Sequence, residues 1–346
     1  MNRLRSVPLA IVIGIGATVL LLLAAGAPPL EAMRLIFDGA FGNTSRVAAT
    51  LMAWLPLVLA AAGLLITFQA GLWNIGVEGQ IVMGAIGAAW VARTVPGPSA
   101  LVVPLTLVGG AVLGAAWALL PALLRTRFRV HEIFSGVALS FVAASVAVYL
   151  IIGPWSRVGV ASTSGTDLFD ERTWLPTAGS WRVSPVALVV AVAAVVSVLV
   201  LLRDSRFGLR LRAVGRNPES AFLFGIPTGR YTVAAFGLCG ALAGLAGTVQ
   251  ATGFHHKLVP AISGGYGFLG ILVVLLAGFR AVWIAPIALF FVAVQVGSTQ
   301  LSLRLGIDSS LAGVVQGALV LAVLIVGGVQ VHSAARGPVV TGEEEG

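Results

Sequence analysis

Two short runs hold the side chains best placed to do chemistry: Trp73-Asn74-Ile75-Gly76-Val77-Glu78-Gly79-Gln80, and Phe254-His255-His256-Lys257 with Gly264-Gly265 a little beyond. Both stand beside long apolar stretches. A carboxyl group in such surroundings usually faces a cavity, a partner or the interface, because a charge in hydrocarbon is costly. Gly71, Gly76 and Gly79 loosen a helix or permit close backbone approach, and irregular backbone inside a membrane needs protein or water to satisfy it. The first run thus has two readings: a broken helix lining a path, or Asn74 and Glu78 capping a span at the surface. In the second run the adjacent histidines invite a metal. Neighbours on a helix do not share a face, however, and no Asp, Glu or Cys lies within ten residues of them. The functional reading is an outer re-entrant loop in which Phe254 stacks on a base and His255 or His256 hydrogen-bonds a polar solute. The plain reading is interfacial anchoring. Gln69, Gln250, Gln295, Gln300 and Gln316 supply neutral donors and acceptors, either to an uncharged polar solute or between helices.

Several chemistries are missing. There is no Gly-x4-Gly-Lys-Ser/Thr, and the only lysine, Lys257, follows no glycine loop, so nothing here holds ATP in the manner of a P-loop. A nucleophile elbow, a His-Glu-x-x-His helix and paired carboxylates within a span are likewise missing. The chain is therefore expected to be no enzyme and to bind no cofactor or metal. Its single cysteine, Cys239, stands in an apolar run and permits no intrachain disulfide.

The elements that must position these groups are membrane helices. Of the 346 residues 58% are hydrophobic and 10% charged, and the mean hydropathy is +1.01, a composition for which the bilayer is the solvent. The basic residues are all arginine apart from Lys257 and form no single polar domain, which argues against nucleic acid. The expected fold is an all-α polytopic membrane protein, one transmembrane domain over 1–346. About ten transmembrane helices are predicted, near 7–27, 47–68, 75–92, 100–121, 133–152, 184–202, 231–252, 266–279, 282–300 and 309–328. The run 1–27 is longer than a signal-peptide core and reads as a retained first span. With both termini in the cytoplasm, every strongly basic cluster faces inward. Segment 30–46 reads as an outer interfacial helix. Segment 153–183 is an outer loop whose Trp155, Trp174 and Trp181 form an aromatic belt or a receptor-docking surface, and 332–346 is a cytoplasmic tail. Thr67-Phe68-Gln69-Ala70-Gly71 echoes Thr248-Val249-Gln250-Ala251-Thr252-Gly253 at the ends of oppositely directed spans. Spans two to five and seven to ten are thus compatible with an inverted repeat.

Loop 203–230 carries a further signal. Asn217 suits a helix cap, Pro218 the first helical position and Glu219 the positive end of the dipole, while Gly225 and Pro227 stop the helix about two turns later. So short a helix, with Phe222, Leu223 and Phe224 on it, is not stable alone in water. Its cover is either the helix ends of the same chain or a groove on a partner.

Glu219-Ser220-Ala221, followed after three residues by Gly225-Ile226, resembles the EAA signature of ATP-binding-cassette importer permeases, with Ser220 in place of alanine. Asn74-Ile75-Gly76-Val77-Glu78-Gly79-Gln80 is similar to a stretch of permeases of the branched-chain amino acid and simple-sugar group, most of all those of nucleoside importers served by a BMP-type lipoprotein. The likeness extends beyond residue 45 through Ala213-Val214-Gly215-Arg216-Asn217-Pro218 and Gly264-Gly265-Tyr266-Gly267-Phe268. The resemblance implies a permease subunit of the bacterial inner membrane carrying a nucleoside. It implies as partners an ATP-binding-cassette ATPase, which holds the ATP and magnesium, a second and non-identical permease, and a substrate-binding lipoprotein. Asn217, Pro218, Glu219, Ala221, Phe222 and Gly225 would couple to the ATPase. Gln69, Trp73, Asn74, Glu78, Gln80, Gln250, Phe254 and His256 would form the substrate path. A simple-sugar permease is the alternative cargo reading, and an ion-coupled secondary transporter the alternative of another class.

Overall fold

The computed structural model describes residues 28–157, 163–179 and 182–305, together with positions 16, 23, 313, 314 and 317. Apart from those isolated positions, stretches 7–27 and 309–328 lie outside the described residues, as do Trp181 and the tail 332–346. Among the described residues every regular element is helical. The chain divides into two compact units, Met1–Gly42 with Ala293–Gly346, and Asn43–Val292.

In the first unit, α1 (Pro29–Phe41) opens on a proline, where no helical N–H is lost, and leaves Leu30, Met33 and Phe37 exposed. Ala32 packs on Leu301 of α12 (Thr299–Leu305). Gly39 meets the backbone of Gly297, so the chains touch where neither has a side chain. Gly297 ends α11 (Ile284–Gly297), the helix within which the two units divide.

The second unit is a bundle around three helices. α2 (Thr44–Gln69) starts at Asn43, whose side chain accepts the Arg46 N–H at 2.9 Å. It is apolar on all sides, and 83% of its most apolar window is buried, as befits a helix enclosed by others. α3 (Val77–Thr94) and α9 (Thr228–Thr248) complete the interior. Around them stand α4 (Ser99–Phe128), α5 (Glu132–Ile152) and α6 (Pro185–Arg203). Only 28% of the apolar window of each of these is buried, although their mean hydropathy is 2.0 to 3.0. Such faces have lipid as their solvent. Small residues let the inner helices touch. A Cβ on Gly84 of α3 would lie 2.7 Å from the Gly244 carbonyl carbon of α9, and one on Gly114 of α4 would lie 2.7 Å from the Gly244 Cα.

Among the described residues six helices are long and apolar enough to cross a membrane: α2, α4, α5, α6, Thr228–Phe254 and Ala281–Leu305. Four of the ten expected spans are not among them. Two fall outside the described residues, and the other two are α3 and α10 (Tyr266–Leu276). These begin inside the bundle. The eleven residues of α10 rise only about 16 Å, half the hydrocarbon thickness of about 30 Å. The Gln69 side chain at the end of α2 donates to the Phe279 carbonyl just past α10, so α10 finishes level with α2 and its N-terminus lies in mid-bundle.

Candidate functional site

Loop 203–230 caps one end of the bundle. α7 (Arg206–Arg216) is held at its start by the Ser205 hydroxyl, which accepts the Gly208 N–H at 3.0 Å. It buries Leu211 and Val214, stacks Phe207 on Tyr231 of α9, and leaves Arg206, Arg210 and Arg216 exposed. The chain turns at Asn217, whose Oδ1 accepts the Ser220 N–H at 2.9 Å, and α8 (Pro218–Leu223) follows with Glu219 in its first turn. Gly225, at φ 77°, ends it, and the Ile226 N–H closes onto the Ala221 carbonyl at 3.0 Å. Of its apolar side chains only Ala221 is buried. Phe222, Leu223 and Phe224 are 67%, 85% and 86% exposed. Among the described residues no helix end covers them.

Beneath α8 the chain enters the bundle as a broken segment between α2 and α3. Gly71, at φ 71°, passes so close to α7 that a Cβ would lie 2.9 Å from the Gly215 carbonyl oxygen. Phe68 packs on Trp73 and Phe279, and the Trp73 N–H donates to Glu132 Oε1 at 3.3 Å. Glu132 is buried and pairs with Arg125 of α4. Asn74 and Gln80 are 0% and 1% exposed and exchange two side-chain hydrogen bonds, each of 3.0 Å; Asn74 Nδ2 also lies 3.1 Å from Cys239 Sγ. These two amides satisfy each other and are not offered to a solute in this conformation.

Glu78 does something that neither sequence reading anticipates. It stands in the first turn of α3, and its Oε2 accepts the Gly267 N–H of α10 at 2.7 Å. Gly79, next to it, lies against Ser140, two turns or about 12 Å along α5 from Glu132. The carboxyl group therefore sits well inside the bundle and caps the N-terminus of a second broken helix, where the dipole favours negative charge. No residue can replace Gly267 without moving Glu78, whose N and Cα would both lie 2.7 Å from an added Cβ.

The approach to α10 comes from the opposite end of the bundle. α9 passes into one π-helical stretch, Val249–Phe254, a form frequent at functional sites. Residues 255–265 then descend without regular structure to Gly264 and Gly265, both at positive φ. Gln250 is buried and donates to the Ile262 carbonyl at 3.4 Å, tying this descent to α9. Loop 163–179 lies over the same segment as a strap. Thr166, Phe169 and Leu175 donate backbone N–H groups to Leu258, His256 and Thr252 at 2.8 to 3.1 Å. Trp174 stacks on His256 with centroids 4.0 Å apart, and its indole N–H donates to the Phe169 carbonyl. Trp155 packs on the hydrophobic core and takes Arg93 over its ring. Both tryptophans thus serve the loop's own packing.

A cavity of about 880 Å³ opens beside the strap. Phe254, His256, Trp174, Glu171 and Arg182 line it, together with Met52, Val103 and Leu107. His256 holds a left-handed backbone, φ 53°, a conformation that costs about 1–2 kcal/mol and persists only where packing enforces it. Among the described residues no three His, Cys, Asp or Glu side chains gather as metal ligands.

The sequence-derived path residues thus fall in three places. Gln69 and Trp73 lie at the α8 end, Asn74, Glu78 and Gln80 in the interior, and Gln250, Phe254 and His256 toward the cavity. Sequence reasoning singled out Trp174 and Gly267 without the contacts they make here, and it missed Glu132, Arg125, Glu171 and Arg182. For Glu132 a signal existed, an acidic residue opening an apolar span; for the others nothing local distinguishes them.

Burial lowers the pKa of His256 below 6.5, partly offset by the Thr252 carbonyl 3.0 Å from its Nδ1; burial, Lys257 and His256 lower that of His255. The folded state favours the neutral rings, so the unfolded chain binds more protons below pH 6.5. Their stabilisation is complete above that value and declines as pH falls toward the depressed folded pKa. The melting temperature is expected to drop between pH 7.5 and 5.5, and by less in His256→Gln. An equal drop in both would show that His256 does not contribute.

A family model described as the branched-chain amino acid transport system / permease component matches residues 46–324. The chain is 32% identical over 310 residues to the glucose ABC transporter permease protein TsgB13 of Haloferax volcanii, covering 87% of this chain and 81% of that one. It is 29% identical over 322 residues to the guanosine ABC transporter permease protein NupP of Bacillus subtilis, covering 91% of each. It is 28% identical over 336 residues to the nucleoside ABC transporter permease protein NupB of Lactococcus lactis subsp. cremoris, covering 94% and 92%.

Proposed function

The chain belongs to the family of branched-chain amino acid transport system permease components, and from that premise we propose that it imports a nucleoside across a bacterial inner membrane, driven by a separate ATPase. It is an ABC transporter permease subunit, a multi-pass membrane protein and not an enzyme. The observation that carries the mechanism is α8. Three consecutive apolar side chains standing in water beside a basic helix require a partner, and a groove on the ATPase suits a short helix anchored by its own caps.

The α8 end is then cytoplasmic. Arg125, Arg127, Arg129, Arg203, Arg206, Arg210, Arg212, Arg216, Arg230 and Arg280 all belong to that end, which supports the assignment. Both chain termini would share that side. ATP and magnesium reside on the ATPase, a second, non-identical permease completes the pathway, and a lipoprotein delivers the cargo from outside. Relatives named for guanosine and nucleosides match more than nine-tenths of the chain and support the nucleoside; the relative named for glucose keeps a simple sugar as the second reading.

The test is uptake into proteoliposomes holding this chain with its ATPase, second permease and lipoprotein. ATP-dependent guanosine uptake is expected. ATP-independent, ionophore-sensitive uptake by this chain alone would overturn the reading in favour of a secondary transporter, and uptake of glucose alone would move the cargo to a sugar.

A further inference from the structure

We infer that the cavity under the strap is a holding site for cargo on its way into the membrane, and that it selects a flat heteroaromatic ring bearing hydroxyl groups over a sugar alone. This rests on the reading of the chain as a solute permease.

Size comes first. About 880 Å³ lies within the range of small-molecule sites, roughly 300–1,000 Å³. Chemistry then separates the cargo classes. The buried side chains of its lining are Met52, Val103 and Leu175, with no oxygen or nitrogen atom among them. A sugar buried there would leave its hydroxyls unsatisfied, at about 1–3 kcal/mol for each unpaired group, whereas the face of an aromatic ring gains from apolar contact. Phe254 is 47% exposed and lines the same space, its ring meeting only His255 in a T-shaped contact among the described rings, so ring surface is left for stacking.

Apart from the half-buried rings of His256 and Trp174, the polar side chains of the lining stand at exposed positions. Ser45, Ser99 and Thr177 bring hydroxyls, and Glu171 and Arg182 bring opposite charges that form no ion pair among the described residues. A solute with its ring down and its hydroxyl-bearing portion up matches this division. The wall is also set before any ligand arrives. Trp174 is fixed by its stack on His256 and its bond to the Phe169 carbonyl, and the strap is fixed by its backbone bonds to residues 252–258. Little ordering remains to be done on binding.

Cys239 is the only cysteine and is buried, which leaves a clean background for thiol labelling. Ala100, an exposed residue of the cavity wall, is changed to cysteine (Ala100→Cys), and its labelling by a bulky maleimide is timed in the assembled transporter. Guanosine is expected to slow labelling at least fivefold and glucose not at all, and Phe254→Ala is expected to abolish the protection. If the complex takes up guanosine yet guanosine leaves the labelling rate unchanged, the holding site is overturned and the nucleoside reading stands. Protection by glucose with guanosine inert overturns the ring preference and the nucleoside reading together.

Discussion

Replacing Leu223 and Phe224 together by aspartate is expected to weaken capture of the partner ATPase at least a hundredfold and to abolish uptake, while the permease still inserts and purifies. Both side chains are more than four-fifths exposed in the isolated chain, so their loss changes its own stability by no more than about 0.5 kcal/mol. Docking would bury them. Each is then worth about 1.5–3 kcal/mol, and the pair about 3–6 kcal/mol, or two to four decades in affinity. Pull-down of the ATPase against graded detergent-solubilised permease reads this directly. Glu219→Arg adds a second, smaller effect by placing a positive charge at the positive end of α8. Retained association and uptake in the double aspartate variant would mean that α8 is not the docking element.

Glu78→Ala is expected to lower uptake tenfold or more with ATPase association unchanged. The Gly267 N–H is one of the orphan donors at the start of α10, and the Glu78 carboxyl group is its partner at 2.7 Å. A hydrogen bond to a charged acceptor contributes about 1.5–3 kcal/mol, and removing it leaves the donor unsatisfied in mid-bundle. The consequence is positional, because this bond joins the two broken helices. α3 leads from the break at the α8 end and α10 from the break at the cavity end, so α10 loses its register against α3. Glu78→Gln keeps an oxygen acceptor of the same reach and should restore part of the uptake. Wild-type uptake in Glu78→Ala would show that the link between α3 and α10 is dispensable. A loss that glutamine does not relieve would point to charge, not to the anchor.

Much of this molecule is legible one residue at a time. Asn217, Pro218, Glu219, Gly225 and Pro227 each have a local conformational preference, and α8 forms where those preferences coincide. The helices α2, α4, α5, α6 and α9 follow from uninterrupted apolar length, which lipid converts into helix because the backbone has no other partner. The starts of α3 and α10 follow no such rule. For the breaks at 70–76 and 255–265 the residues alone leave two readings each, a broken helix or re-entrant loop against a surface cap or anchor, and only the fold shows both stretches entering the bundle.

The sequence by itself determined that this chain is a helical membrane protein, and where its exposed helix must lie, because composition, span length and capping act over one or two turns. The tertiary structure decided what the polar residues do. Asn74 and Gln80 bind each other, Gln250 ties residue 262 to α9, Glu132 reaches Trp73, and Glu78 reaches Gly267 across 189 positions of sequence. Such partners are chosen by whichever donors the packing brings within hydrogen-bonding distance in a medium with no water to substitute, and spacing along the chain carries no record of that choice. The cavity has the same origin: Met52, Leu107, Trp174 and Phe254 come from four separate segments and meet only when the strap lies over the end of α9.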